Sequence, residues 1–248
     1  MADSGPAAGG LKYPRVLLKL SGEALMGAQE FGIDDDLLRV IACHLKQVHE
    51  VGAEIAIVLG GGNIFRGVAG VKRGIDRVTG DSMGMLATVL NALALMSALE
   101  AEGVEVRVQT AIAMHEVAEP FIQRRALRHL ERGRVVIFAA GTGHPFFSTD
   151  TAAALRALQI GADALLMAKN NVDGVYDRDP NVDPDAERFE ELDYDTLMNL
   201  AVMDATAATL ARGQSLPIIV FDFAELDNVR RIVLGEAVGT LVRRIDHE

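Results

Sequence analysis

Two hydrophobic rhythms alternate along this chain. Short, nearly unbroken apolar runs, RVLLKL (15–20), EIAIVL (54–59), VEVRVQT (104–110), RVVIFAAG (134–141) and ADALLMAK (162–169), have the length of buried strands. Between them apolar residues recur every three or four positions. In DDDLLRVIACHLKQVHEVG (34–52), Leu37, Leu38, Ile41, Leu45 and Val48 fall at helical spacing behind an acidic start. Further helices are predicted over roughly 75–101, over PFIQRRALRHLERG (120–133) and directly after the loop that begins at Gly141. The rhythm breaks at NNVDGVYDRDPNVDPDAERFEE (170–191), whose Asp, Asn and Pro predict a loop or short hairpin. Two helical stretches near 193–201 and 204–212, the run PIIVFDF, a helix from about Glu225 and a last strand GTLVRR complete the pattern.

Strands that alternate with helices predict a three-layer α/β/α sandwich around a mostly parallel sheet, in one domain from residue 14 to 248 behind a flexible tail, 1–13. Ligands of such sheets bind at the carboxyl ends of the strands. Three strand ends here carry unusual loops: Leu20-Ser21-Gly22, Gly60-Gly61-Gly62-Asn63 and Gly141-Thr142-Gly143.

Composition narrows the picture without deciding it. Half of the 248 residues are hydrophobic, which opposes extensive disorder, and the formal charge of −11 opposes a general nucleic-acid binder. The single Cys43 excludes an intramolecular disulfide framework and suits a reducing cytosol. MADSGPAAGG has neither the basic nor the apolar region of a secretory signal, and the apolar stretch from Ala87 to Leu99 is too short to span a bilayer. A soluble, cytoplasmic protein without membrane partners is expected. His44, His49, His115, His129 and His144 show no metal-ligand spacing.

The glycine loops suggest phosphate chemistry, yet no Gly is followed by Lys, so a G-x-x-x-x-G-K-[ST] loop is absent. Lysine is scarce, and Lys19 stands out inside an apolar strand. It is either a snorkelling edge-strand lysine or a point charge held against phosphate beside Ser21 and Gly22. Gly60–Asn63 is either a tight turn or a run of backbone N–H groups open to an anion, with Arg66 one turn further on. In the third loop Ser148 to Asp150 suit a helix cap, whereas His144-Pro145-Phe146-Phe147 make an exposed aromatic insertion suited to a flat base. Tyr176, three residues before Asp179, suits an adenine and ribose pocket. Asp81, after Gly80, is expected to cap the helix DSMGMLATVL. Leu86, Leu90, Leu93, Leu95 and Leu99 make that helix apolar on more than one side, as burial against a partner copy would require.

In order and spacing, LLKLSGEAL (17–25), GGGNIFRG (60–67), DSMGMLATVLNALAL (81–95), GTGHPFFSTDTAA (141–153), NNVDGVYDRDP (170–180) and MDATAATLA (203–211) resemble the amino-acid-kinase superfamily and, within it, the bacterial uridylate kinases. The likeness runs from about residue 14 to 245. It implies transfer of the γ-phosphoryl group of ATP to UMP with Mg²⁺, in a homohexamer that GTP activates and UTP inhibits. It places Lys19, Leu20, Ser21, Gly22, Gly62 and Arg66 on the ATP phosphates, and Asn170, Tyr176 and Asp179 on the adenosine. Gly61, Asp81 and the run Thr142, Gly143, His144, Pro145, Phe146, Phe147, Ser148, Thr149 fall on UMP. Lys19, Arg66 and Asp150 become the expected catalytic groups, with Asp204 a further candidate beside Lys19 or the metal, and Gly27 to Gly32 resembles the region tied to GTP activation. His144 stands where the family often has asparagine, which alters one expected uracil contact. Two rivals stay open: a carboxylate kinase of the same superfamily, and a non-catalytic uridine-nucleotide sensor.

Overall fold

A computed structural model of the chain describes residues 10–65, 74–170 and 172–245. The strands are β1 (Arg15–Leu20), β2 (Glu54–Leu59), β3 (Val106–Thr110), β4 (Glu119–Pro120), β5 (Val135–Ala139), β6 (Ala164–Lys169), β7 (Val175–Tyr176), β8 (Arg188–Phe189), β9 (Glu191–Leu192), β10 (Ile218–Asp222) and β11 (Thr240–Val242). The α-helices are α1 (Asp35–Glu50), α2 (Arg77–Ala101), α3 (Gln123–Leu130), α4 (Thr149–Ile160), α5 (Tyr194–Asn199), α6 (Ala205–Gly213) and α7 (Asn228–Leu234). Nine strands form one sheet in the order β4-β3-β5-β2-β1-β6-β10-β11-β9. Every pairing in it is parallel except β10 with β11. The Asp- and Pro-rich segment supplies a separate antiparallel pair, β7 with β8.

Because successive strand residues face opposite sides, the continuous apolar runs serve two cores at once. Val16, Leu18 and Leu20 join the core covered by α1, α2 and α7. Leu17, with Leu165 and Met167 from β6, joins the core covered by α3, α4 and α6. Lys19 therefore leaves the sheet on the α4 side, at the carboxyl end of the central strand. Of the expected tail, the described residues Lys12 and Tyr13 donate their backbone N–H groups to the Val233 carbonyl at 2.9 and 3.4 Å.

Helix α2, 25 residues long, matches the helix expected over roughly 75–101 but departs from expectation in two details. It is long and apolar enough to cross a membrane by length and composition, so the shorter apolar span read from the sequence understated it. Its buried side, including Val89, Ala92, Leu95 and Leu99, packs on the sheet. It also begins earlier than Asp81. The cap is Asp76, whose carboxylate accepts from the Thr79 N–H at 3.0 Å. Asp81 lies a full turn inside and caps nothing. Four residues of regular α-helix precede it, so its neighbouring N–H groups already have carbonyl partners or Asp76.

Hydrogen bonds from Thr79 hold the Asp76 carboxyl below the ordinary aspartate pKa. A lowered folded-state pKa adds stability above the unfolded-state value, about 3.9, and loses it as the pH falls through the folded-state value. Asp76→Ala should therefore melt below the parent at neutral pH. The gap between the two melting temperatures should narrow as the pH falls below the unfolded-state value, about 3.9, and close once the folded-state carboxyl is protonated as well.

Candidate active site

The first two glycine loops meet backbone to backbone. Gly60 N–H donates to the Leu20 carbonyl at 2.9 Å, which carries the β1–β2 pairing beyond the strands. A methyl group on Gly22 would strike the Asn63 side-chain oxygen and lie 2.7 Å from the Gly62 nitrogen. One on Gly60 would lie 2.8 Å from the Gly22 nitrogen. Glycine is required here for close approach. The third loop is tied in through α2, where Thr88 Oγ1 accepts the Ala140 N–H at 2.8 Å. Gly22→Ala should consequently cost about 1–3 kcal/mol, as overpacking does. Gly213→Ala, where a methyl meets nothing within 4 Å, is the control that should stay near the parent in urea denaturation.

Lys19 Nζ pairs with Asp150 Oδ1 at 2.9 Å, the two side chains only 12% and 18% exposed. Asp150 sits in the first turn of α4, whose cap is Ser148, with the Thr151 N–H on its hydroxyl at 3.0 Å. Lys169, at the end of β6, shares their surroundings. Burial lowers its pKa first, Asp150 opposes that fall and Lys19 adds to it. Its ammonium donates to the Val202 carbonyl at 2.7 Å. Sequence reading passed over Lys169, though it ends an apolar run on the same sheet face as Lys19. Asp204 is placed differently from its expected role. It caps α6 through the N–H groups of Thr206 and Ala207, and it accepts the Ser148 and Thr151 hydroxyls. It thus locks α4 to α6, while Lys19 pairs with Asp150.

A cavity of about 440 Å³ opens beside this cluster. Gly61 and Gly62 form one wall, Asp81, Gly84, Met85 and Thr88 another, and Thr142, His144, Phe147, Ser148 and Thr149 a third. Most of the residues expected on the acceptor nucleotide therefore share one space, and Thr149 directly precedes Asp150. Asp81 is fixed there by Arg77 Nε, 2.8 Å from both carboxylate oxygens, and by the Phe146 N–H at 2.8 Å. That second bond holds Phe146 at φ 71°, a left-handed conformation that is uncommon outside glycine. The Arg77 guanidinium lies 5.9 Å from the Phe146 ring centre. Phe147 faces the cavity, whereas Phe146 is 68% exposed outside it. Gly143 packs on Ala111, and neither it nor Pro145 lines the wall.

Of the residues expected on adenosine, Asn170 alone lines one of these cavities. Asn170 lines a second cavity of about 320 Å³ with Glu23, Gly27, Leu37, Phe223 and Leu226. Tyr176 is held on the β7–β8 pair, its hydroxyl donating to Asp173 at 2.7 Å, and Asp179 accepts the Asn181 N–H at 2.9 Å. Both line neither cavity. Arg66 lies outside the described residues. Among the described residues no cluster of three His, Cys, Asp or Glu side chains could cage a metal.

Sheet order, glycine loops and the lysine on the central strand describe a phosphate-handling α/β enzyme of the non-Walker kind. Residues 14–222 match the model of the amino acid kinase family, and the chain belongs to that family. Among solved structures it is similar to the UMP kinase of Bacillus anthracis, with 43% identity and a TM-score of 0.90 over 93% of this chain and 96% of that one. The UMP kinase of Ureaplasma parvum is 34% identical with a TM-score of 0.88, over 94% of this chain and all of the other. The uridylate kinase of Archaeoglobus fulgidus is 29% identical with a TM-score of 0.72, over 92% and 99%.

Proposed function

We propose that this chain is a UMP kinase that converts ATP and UMP to ADP and UDP, on the route to CTP. The observation that carries the reading is the single cavity in which Asp81, the Gly61–Gly62 turn and the Thr142–Thr149 loop face one another, next to Lys19 and Asp150. The UMP kinases it resembles over nearly their whole length support the choice of acceptor.

The reaction is an in-line displacement. A phosphate oxygen of UMP bonds to the γ-phosphorus of ATP while the bond to the β–γ bridging oxygen breaks, and those electrons leave on ADP. The protein's work in such a transfer is placement and charge stabilisation. Lys19 neutralises the transferring group, Arg66 assists it, and Asp150 aims Lys19. Backbone N–H groups of Ser21, Gly22 and Gly62 meet the donor phosphates. Mg²⁺ supplies further neutralisation when it arrives on ATP. A metal carried by phosphates would ask the protein for only one or two carboxylates, and Asp150 would supply one of them. Asp81 accepts the ribose hydroxyls of UMP with the lone pairs left over from Arg77 and the Phe146 N–H.

Lys19→Ala should lower kcat roughly 100-fold or more, as loss of a preorganised donor does. Asp81→Ser should raise KM for UMP about 10- to 150-fold, leave KM for ATP in place and narrow the preference for UMP over dUMP. A coupled assay offering UMP, CMP, glutamate and carbamate tests the acceptor. Turnover of glutamate or carbamate in preference to UMP would overturn the reading.

The same proposal includes a homohexamer, activated by GTP and inhibited by UTP. Its support is the outer side of α2, where Met83 is 38%, Leu86 51% and Leu90 54% exposed in one stripe, whereas Leu95 and Leu99 are fully buried in the chain's own core. Sedimentation at micromolar concentration should show the assembly, and Leu86→Glu with Leu90→Glu should dissociate it. A monomeric parent would remove both the assembly and the regulation that depends on it.

A further inference from the structure

Two polar side chains on the inner side of α2, three residues apart, each grip a different loop of the site. Asn91 is fully buried. Its Nδ2 donates to the Gly60 carbonyl and to Asn63 Oδ1, both at 2.7 Å, and its Oδ1 accepts from Asn63 Nδ2 at 2.9 Å. Asn63, 1% exposed, spends its other amide hydrogen on the Gly32 carbonyl at 2.9 Å, and its side-chain oxygen abuts Gly22. The pair thereby fixes the 60–63 loop, Gly22 and Gly32 to one point on the helix. Thr88, 5% exposed, donates its hydroxyl to the Met85 carbonyl at 2.7 Å and accepts the Ala140 N–H. Ala140 has φ 61° and leads into Gly141 at φ 56°, so this one bond anchors a left-handed pair of residues at the start of the 140–143 loop.

We propose that Asn91 and Thr88 are positioning residues of different reach: Asn91 sets the 60–63 loop, whose Gly62 meets the phosphate donor and whose Gly61 lines the acceptor cavity, and Thr88 sets the 140–143 loop, which meets the acceptor alone. The inference rests on the kinase reading given above. A purely structural role predicts something else. Loss of a buried bond would then lower the melting temperature and disturb both substrates alike.

The test uses the full chain, with ATP and UMP varied separately, and hydrogen exchange of the same variants without substrate. Thr88→Val should raise KM for UMP about 2- to 12-fold, the equivalent of one net hydrogen bond, with KM for ATP unchanged. Thr88→Ser should restore the parent value. Asn91→Leu should raise KM for ATP as well as KM for UMP, and its exchange pattern separates this from a general loss of stability. Asn91→Ser, smaller and still a donor, replaces it if the leucine variant does not fold. Exchange should quicken at 140–143 in the Thr88→Val variant and at 32 and 60–63 in the Asn91 variant. A Thr88→Val variant that shifts both KM values equally, or exchange that quickens in both loops in each variant, would overturn the inference. A parent that ignores UMP would sink the kinase reading alone, because the exchange pattern still decides whether each residue holds its own loop.

Discussion

The site depends on how closely two backbone loops approach at the carboxyl edge of β1 and β2. Gly60 extends the strand pairing by one bond, and the Gly22 and Gly62 backbones then meet with no room for a side chain between them. Parallel pairing sets this up. Adjacent strands end at the same level, so the loops after them leave side by side. A Walker loop gathers phosphate-binding N–H groups within one turn. In the site proposed above, two loops from neighbouring strands would share that task, and the lysine would come from the strand itself.

Placing a lysine there has a cost that the surroundings must offset. Lys19 and Lys169 leave adjacent strands on the same face, and both are largely removed from water. Like charges held close in such a setting disfavour each other, and the lowered pKa of Lys169 records both its burial and Lys19. Asp150 answers Lys19 directly, and the Val202 carbonyl gives Lys169 a neutral acceptor. Asp204, bound to the hydroxyls on either side of Asp150, brings a second carboxylate to the same helix end, so the two ammonium groups sit among acidic neighbours in a chain of formal charge −11.

The sequence made the frame legible because burial on both faces writes itself as unbroken apolar runs. RVLLKL and EIAIVL could hardly be anything but central strands, and the glycines after them mark where no side chain fits. Long-range partners left weaker traces. Asp76 and Asp81 are equally plausible caps by residue type, and only the extra turn of helix, which puts Asp81 beside Phe146, separates them. Asp204 followed by a helix reads as a cap and is one, but nothing local shows that it also binds Ser148 and Thr151, more than fifty residues away in sequence. Asn91 inside an apolar helix looked like an interruption, although the amide that completes it belongs to the GGGN turn already marked as functional.

Helix α2 shows why composition alone misleads at this length. Its apolar residues suffice for a bilayer, yet Asn91 and Thr88 direct every polar atom they have at sheet loops or at the helix backbone. The inner side carries Leu95 and Leu99 in the core and, nearer the site, Thr88 and Asn91; the outer side carries the stripe of Met83, Leu86 and Leu90. Leu90 and Asn91 are neighbours in sequence, about 100° apart around the helix, one exposed and one buried. A partner seated on the stripe, as in the assembly proposed above, would press on the same turns that hold the 60–63 and 140–143 loops. A displacement of the helix as a rigid rod would reach both substrates at once, since close-packed interiors transmit such shifts instead of absorbing them.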